Sequence, residues 1–249
     1  LKYMNTLEIQ LADGWYRGST GAWGITNQYG TQTKFIAELE IFYADGEVKK
    51  IVTDGTWNWS NDGKIRFADN KDGEIVDARM TPGYGKFAKV TNNNVVPVCS
   101  NNVPIAEKER FKPTASKTLS GKTLLEFPNN LAGYISFSLS ANAGEKIKMR
   151  FGEMLDKNGE LTLKNIQCSS KKKTTPLQKI EYICKDGENN YKTKFAIFGF
   201  KYVEIETDID LTDAEFTAIA GYSNTEETGF FDSSKKLLNK LVDATKWST

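Results

Sequence analysis

The chain of 249 residues contains no histidine and only three cysteines. The absence of histidine excludes a Ser-His-Asp triad, a Cys-His protease site and a histidine-ligated zinc site within these residues. Any catalysis by this sequence would have to use carboxylates, lysine, tyrosine, cysteine or backbone groups, and the alternative is that the chain performs no catalysis at all.

The three cysteines, Cys99, Cys168 and Cys184, are odd in number and show no Cys-x-x-Cys spacing. The sequence therefore predicts neither a zinc knuckle nor a disulfide framework, and we expect free thiols that are mostly buried. Unpaired cysteines favour a reducing compartment, so the expected location leans toward the cytoplasm. The chain starts at Leu1 without an initiator methionine, which leaves a lost signal peptide open.

The sequence also lacks an excess of either charge and lacks long apolar runs. Lysine and arginine number 33 and aspartate and glutamate 32, which gives a net charge of +1. A nucleic-acid-binding domain normally carries a basic face, and the one basic cluster, Lys171–Lys173, is interpreted as a solvated loop. No apolar run approaches the roughly 18 residues that a membrane span needs. We therefore expect no nucleic-acid partner and no membrane partner.

Asp-Gly pairs are abundant, and five of the six lie before residue 75. Asp-Gly tolerates the positive φ angles of type I′ turns, so between apolar runs it predicts a hairpin. The run from Phe35 to Tyr43 alternates with period two and ends at Asp45-Gly46. The pairs are Asp13-Gly14, Asp45-Gly46, Asp54-Gly55, Asp62-Gly63, Asp72-Gly73 and Asp186-Gly187.

Alternation continues in the second half, for example where Ile135, Phe137 and Leu139 alternate with serines. Many short strands with turns between them predict an all-β fold of two antiparallel β-sandwich or jelly-roll modules. We expect a carbohydrate-binding-like module over residues 1–109 and a second sandwich, concanavalin-like or jelly-roll, over 110–226, separated near a segment rich in asparagine and proline (91–113). The alternation of Leu7, Ile9 and Leu11 predicts a strand at the start, as in a module truncated at its beginning.

Only the last part, residues 227–249, changes period. Asp232 or Ser233 can cap a helix, and five residues then share one face. A short amphipathic helix here is expected to lead to a further domain that is missing from the sequence. The residues on the shared face are Leu237, Leu238, Leu241, Val242 and Thr245.

Several motifs occur in order along the chain, and together they resemble bacterial α-L-rhamnosidases. The first half resembles the N-terminal region of those enzymes, and the second half resembles the β-sandwich that follows it. Family members often have histidine and arginine where this chain has Phe198 and Lys201, which weakens any role for those two side chains. The motifs are Asp13-Gly14-Trp15-Tyr16-Arg17-Gly18, Gly73-Glu74-Ile75-Val76-Asp77-Ala78-Arg79, Arg150-Phe151-Gly152-Glu153-Met154-Leu155, Phe198-Gly199-Phe200-Lys201-Tyr202-Val203-Glu204-Ile205, and Leu237-Leu238-Asn239 with Trp247.

The resemblance implies a parent enzyme that hydrolyses terminal α-L-rhamnose from glycosides with inversion. It places the two catalytic acids in an (α/α)₆ barrel downstream of residue 249, so no catalytic residue is assigned here and the fragment is expected to be inactive. The implied partners are rhamnosides, which are carbohydrates, and the downstream barrel; no cofactor is expected. An alternative is a pair of autonomous carbohydrate-binding modules, with calcium as a cofactor if that interpretation holds.

The candidate ligand-binding residues are Trp15, Tyr16, Arg17 and Trp23, which lie in a glycine-rich stretch. Exposed aromatic rings stack on the apolar faces of sugars, and arginine donates paired hydrogen bonds to neighbouring hydroxyls. The competing interpretation, which we favour, is that Trp15 and Tyr16 pack between the sheets.

Two further groups have a functional and a structural interpretation. Glu74, Asp77 and Arg79 could form a calcium or sugar site, since carboxylate oxygens suit hard cations, but an Asp77–Arg79 ion pair is the favoured interpretation. Trp57 and Trp59 could form a binding platform or, more commonly, a core or interdomain contact.

Overall fold

The computed structural model describes residues 4–20, 24–91, 95–170 and 173–248. Strands account for 42% of the residues and helices for 7%. The prediction of an all-β fold with a short C-terminal helix is therefore confirmed.

The first part of the chain forms short elements separated by long irregular segments. The predicted strand around Leu7, Ile9 and Leu11 is wrong: residues 5–13 have no regular structure, and all three side chains are exposed. Alternation only marks a segment that could lie on a sheet, whereas a strand also needs hydrogen-bonding neighbours, and no described strand pairs with this segment. The elements are α1 (Gly14–Arg17), β1 (Glu38–Phe42), β2 (Val48–Val52), β3 (Asn58–Trp59), β4 (Ile65–Asp69), β5 (Gly73–Asp77) and β6 (Lys86–Phe87).

The Asp-Gly pairs divide into true hairpin turns and other structures. Asp45-Gly46 joins the antiparallel strands β1 and β2, and Asp72-Gly73 joins the antiparallel strands β4 and β5, as the sequence predicts. Asp13-Gly14 instead lies at the start of α1, where Gly14 adopts a φ of 51°. The same dipeptide thus starts a helical turn where no strand partner is available on either side.

The second part contributes most of a ten-stranded sheet. Its strands follow the order β4-β5-β15-β10-β17-β9-β18-β7, with β16 and β8 also pairing with β9. The elements are β7 (Ile105–Phe111), β8 (Thr114–Lys117), β9 (Thr123–Ala141), β10 (Lys146–Gly152), β11 (Met154–Leu155), β12 (Leu161–Thr162), β13 (Cys168–Ser169), β14 (Thr174–Thr175), β15 (Lys179–Ile183), β16 (Gly187–Lys192), β17 (Phe198–Glu206), β18 (Glu215–Ser223) and α2 (Lys236–Ser248).

The sheet takes strands from both halves of the chain. Strand β5 lies next to β15 in a parallel arrangement, with Gly73 opposite Lys179 and Asp77 opposite Ile183. Because β5 also pairs with β4, the β4–β5 hairpin extends one side of this sheet. The division of the chain near residue 110 stays a prediction, while these pairings connect the residues on either side of it.

The core lies around the long strand β9, which pairs with four other strands. The Phe151 ring lies 4.6 Å from that of Phe198 and 5.2 Å from that of Phe200, and all three side chains are buried. Two motifs that carry the family resemblance therefore build the core. Lys201, beside them, reaches outward to form an ion pair with Glu126 at 2.9 Å.

Helix α2 has no buried residue, although its Trp247 donates from Nε1 to the backbone oxygen of Asn130. The Trp247 ring also meets Phe111 edge-on at 6.0 Å. Leu237 and Leu241 remain 79% and 62% exposed. The helix is therefore attached to the sheet near its C-terminal end and presents its apolar residues outward. Within the described ranges, no helix combines the length and apolar character that a membrane crossing requires.

Candidate functional site

Three of the four predicted ligand-binding residues lie together on the single helical turn α1. Trp15 is 57% exposed and Tyr16 is 46% exposed, so neither packs between the sheets as the favoured structural interpretation expects. Arg17 forms an ion pair with Asp13 one turn earlier, at 3.2 Å. We call Gly14–Arg17 the aromatic turn. The fourth residue, Trp23, lies outside the described residues.

The aromatic turn is attached to the ten-stranded sheet by a buried carboxylate. The backbone N–H of Ser19 donates to Oδ2 of Asp69 at 2.5 Å, and Ser19 is only 2% exposed. On the other side, the N–H of Tyr29 donates to the carbonyl of Tyr16 at 3.2 Å. A Cβ atom on Gly30 would lie 2.0 Å from the Tyr16 hydroxyl, so a larger residue there would displace this ring. The two aromatic rings are therefore displayed from an anchored backbone.

The calcium or sugar site suggested for Glu74, Asp77 and Arg79 is replaced by two separate arrangements. Arg79 donates from Nε and Nη2 to the two Asp77 oxygens at 2.9 and 2.8 Å, which confirms the favoured ion pair. The hydrogen bond from the Arg79 side chain lowers the pKa of Asp77. Glu74 is only 1% exposed and accepts hydrogen bonds from elsewhere in the chain. Among the described residues, no three Asp, Glu or Cys side chains are grouped as a metal ion would need.

Trp57 and Trp59 do not form one continuous platform. Trp57 is partly buried and packs edge-on against Phe35, with the ring centroids 5.6 Å apart. Trp59 is 44% exposed, and its ring is covered by the ammonium group of Lys86 at 5.0 Å. Trp57 thus makes the more common packing contact, whereas Trp59 remains at the surface.

The expectation that the thiols are mostly buried is wrong for two of them. Cys99 and Cys168 are free and exposed, whereas Cys184 is free and buried. Burial, followed by the charge of Glu145, raises the pKa of the Cys184 thiol to about 11. Cys184 is therefore protonated and unreactive in the fold, because the thiolate is the nucleophilic form.

A set of four acidic residues is almost completely buried, which the sequence did not predict. Asp69, Asp72, Glu74 and Glu204 are each 3% exposed or less. Glu204 is paired with Lys122 at 3.0 Å and with Arg150 at 3.1 Å, rather than facing solvent as an acid in a strand usually does. The sequence pointed to Glu74 as a candidate ligand and to Asp72 as part of a turn, and neither pattern indicated burial.

Asp72 is held by three partners of different chemical kinds. Its Oδ1 accepts from the Thr175 hydroxyl at 2.7 Å and from the backbone N–H of Leu177 at 3.0 Å, and its Oδ2 lies 3.0 Å from the Lys173 ammonium. Burial alone would raise the pKa of Asp72, but the hydrogen bonds from Thr175, Lys173 and Leu177 together lower it. The group is therefore held as a carboxylate.

Two of the depressions on the surface of the described residues are open to solvent. One lies on the sheet between Ser136, Asn190, Lys192 and Thr217. The other lies at the end of the sheet, and its lining includes Glu145, Asp186, Asp208 and Asp210. Neither contains the aromatic turn.

Comparison with known protein families identifies, along almost the whole chain, the family that the sequence motifs resemble. Residues 2–117 match the model of the alpha-L-rhamnosidase N-terminal domain, and residues 116–221 match that of the bacterial alpha-L-rhamnosidase concanavalin-like domain. The resemblance seen in the sequence motifs is thereby confirmed. These two consecutive matches define a β-rich chain made of an N-terminal domain and a concanavalin-like domain. The chain belongs to the bacterial α-L-rhamnosidase family.

Individual relatives agree with this assignment. An alpha-L-rhamnosidase of Formosa agariphila is 27% identical over 98% of this chain and 27% of its own length. One of Streptomyces avermitilis is 28% identical over 98% of this chain and 24% of its own length. The chain thus spans about a quarter of the length of these curated relatives.

Solved structures show the same fold. The crystal structure of Streptomyces avermitilis α-L-rhamnosidase complexed with L-rhamnose superimposes with a TM-score of 0.82 at 26% identity, covering 94% of this chain and 23% of that one. The native Aspergillus terreus enzyme gives a TM-score of 0.79 at 25% identity, covering 94% of this chain and 28% of that one.

Proposed function

We propose that this chain is a non-catalytic accessory part of an α-L-rhamnosidase that releases terminal α-L-rhamnose with inversion. The observation that carries the proposal is the match to the N-terminal and concanavalin-like domain models over residues 2–221, in a chain that spans only about a quarter of the length of its relatives. The two catalytic acids then belong to the downstream (α/α)₆ barrel.

The chemistry of the described residues supports this proposal. An inverting glycosidase needs two carboxyl groups roughly 6.5–9.5 Å apart on either side of a bound sugar. The buried carboxylates Asp69, Asp72, Glu74 and Glu204 instead accept hydrogen bonds or form ion pairs inside the protein. Their oxygens are occupied by the fold, so they are unsuited to bind and cleave a glycoside.

The apolar surface near the C-terminal end supports a scaffolding role. Leu237 and Leu241 project from α2, and Phe230 in the preceding segment is 86% exposed. Burying apolar area stabilises a contact by roughly 25 cal/mol per Å². We propose that this surface packs against the downstream barrel, while the sheet fixes the other side of α2 through Trp247.

The test is turnover of an aryl α-L-rhamnoside by the purified 249-residue chain. We expect no release of the aryl group above the uncatalysed rate. A longer chain that includes the downstream region should be active under the same conditions. Turnover by the short chain that persists through further purification would refute the accessory role.

A second candidate function is the binding of rhamnose-containing glycans by the aromatic turn. It is favoured by the outward display of Trp15 and Tyr16 from a backbone that Asp69 anchors. A flat aromatic ring can cover the apolar face of a deoxysugar, and Arg17 lies on the same turn to donate to hydroxyl groups.

Titration calorimetry with L-rhamnose tests this second candidate, with and without calcium. We expect heat from the unaltered chain, its loss in Trp15→Ala, and its retention in Trp59→Ala. The Trp59 variant is a suitable control because that tryptophan is also exposed but lies outside the aromatic turn. Flat titrations of the unaltered chain in both conditions would leave only the scaffolding role.

A further inference from the structure

The β4–β5 hairpin lies within the N-terminal domain match but hydrogen-bonds to the concanavalin-like domain. Residues 65–77 fall inside the match at 2–117, whereas their neighbour β15 falls inside the match at 116–221. A Cβ atom on Gly73 would lie 1.7 Å from the Lys179 carbonyl oxygen, and Gly73 has a φ of 116°. The first residue of β5 therefore fits closely against β15 only as glycine.

Glu74 faces the interior of the concanavalin-like domain. Side chains two residues apart in a strand share a face, and Val76 on the same face of β5 belongs to the main core. The residues opposite Glu74 and Val76 in β15 are Ile180 and Tyr182, which are both buried. The Glu74 carboxylate is thus directed into the core that β9, β10 and β17 build.

Inside that core, Glu74 holds the connection between β16 and β17. Its Oε1 accepts from the backbone N–H groups of Lys194 at 3.0 Å and Ala196 at 2.9 Å, and from that of Phe195 between them. Its Oε2 accepts from the Tyr191 hydroxyl. Burial, followed by the charge of Glu74, raises the pKa of Tyr191, so this hydroxyl remains a donor. Donors more than a hundred residues away in the chain thus depend on one carboxylate.

The same hairpin also holds the N-terminal segment and a third part of the chain. Asp69 at the end of β4 accepts from the Ser19 N–H, which follows the aromatic turn. Asp72 in the turn accepts from Thr175 and Leu177, just before β15. Three buried carboxylates on one hairpin therefore bind segments from both matched domains. A buried charge that loses its partners destabilises the fold, so we expect the loss of one of these contacts to weaken the others.

We propose that the β4–β5 hairpin is a conformational clamp, through which residues 65–77 of the N-terminal match and the concanavalin-like sheet open and unfold as a single unit. Residues 65–77 then belong structurally to the concanavalin-like sheet, and Glu74 couples them to the β16–β17 connection. The aromatic turn is attached to the same unit through Asp69.

The test uses the full 249-residue chain with Glu74→Gln and Tyr191→Phe. Glutamine keeps the size of the side chain but places an NH₂ group where the backbone donors and Tyr191 point. The matched controls are Glu109→Gln and Tyr222→Phe, since the Tyr222 hydroxyl donates to Glu109 at 2.8 Å in an exposed version of the same pair. Thermal unfolding and native-state hydrogen exchange of every variant are the measurements.

We expect Glu74→Gln to lower the unfolding temperature by about 5–10 °C and Tyr191→Phe by about 2–5 °C, with both controls within about 2 °C of the unaltered chain. In both Glu74→Gln and Tyr191→Phe, amide hydrogen exchange should accelerate by the same factor in β5, β10, β15 and β17. Acceleration confined to residues 65–77, or shifts no larger than those of the controls, would overturn the clamp. If Glu74→Gln does not fold, the milder Tyr191→Phe decides between the two outcomes.

Discussion

Removing the charge of Asp72 should destabilise the fold at neutral pH and much less in acid. The carboxylate is 1% exposed and is held by the Thr175 hydroxyl, the Leu177 N–H and the Lys173 ammonium. Asp72→Asn keeps the shape and one acceptor oxygen, but it removes the charge and can turn an NH₂ group toward Lys173. Hydrogen bonds to charged groups contribute about 1.5–3 kcal/mol each. Since one or two of them are weakened, we expect a loss of about 2–3 kcal/mol.

The dependence on pH follows from the direction of the pKa shift. The pKa of Asp72 in the folded chain is below its ordinary value of 3.8. The contribution of the charged group is therefore fully present above about pH 4 and is lost as the pH falls through the folded pKa. The difference between the unaltered chain and Asp72→Asn should be constant from pH 7 to about pH 5 and should shrink below about pH 4.

Urea unfolding followed by circular dichroism at several pH values measures this difference. Asp54→Asn is the matched control, because Asp54 also accepts from one threonine hydroxyl and one backbone N–H, both of Thr56, but in an exposed turn. We expect that control to change the urea midpoint very little. An Asp72→Asn difference that stays the same at pH 3 as at pH 7, or one as small as that of Asp54→Asn, would refute the reasoning.

Two further predictions concern the core and the thiols. Phe151→Ala should lower the free energy of unfolding by about 3–5 kcal/mol, because its ring is fully buried against Phe198 and Phe200. Phe87→Ala, at an exposed site, should change the free energy of unfolding little. Equal urea midpoints for the two variants would contradict this prediction. A thiol reagent at pH 8 should label Cys99 and Cys168 in the folded chain and Cys184 only after unfolding. Mass spectrometry of the labelled peptides measures this order, and labelling of Cys184 in the folded chain would contradict the prediction.

Alternation in the sequence predicted the central strands because their burial is one-sided. Ile135, Phe137 and Leu139 are buried in β9, as their spacing requires. The same rule failed at Leu7–Leu11, because period two describes the faces of a strand and carries no information about its neighbours. For that reason the sequence pattern could not predict the parallel pairing of β5 with β15, although it predicted the Asp72-Gly73 turn beside β5.

The candidate site was predictable in part. The composition of the aromatic turn indicated Trp15 and Tyr16, but their exposure depends on the attachment of Ser19 to Asp69, fifty residues away. Glu74 could not be recognised as a core residue, because an acid in a strand normally indicates the solvent face. Its burial is possible only with the donors at residues 191–196, which the fold brings to it.

The pKa shifts of the acidic residues show how the fold uses their charge. A general acid in a glycosidase must hold a proton near neutral pH, so its pKa has to be raised above the ordinary value. Over the described ranges, every carboxyl group whose pKa clearly departs from its ordinary value is shifted downward. These groups are Asp54, Asp72, Asp77, Glu107, Glu206 and Asp210. Such groups accept hydrogen bonds and balance charge, which is a structural use of these acids and not that of a general acid.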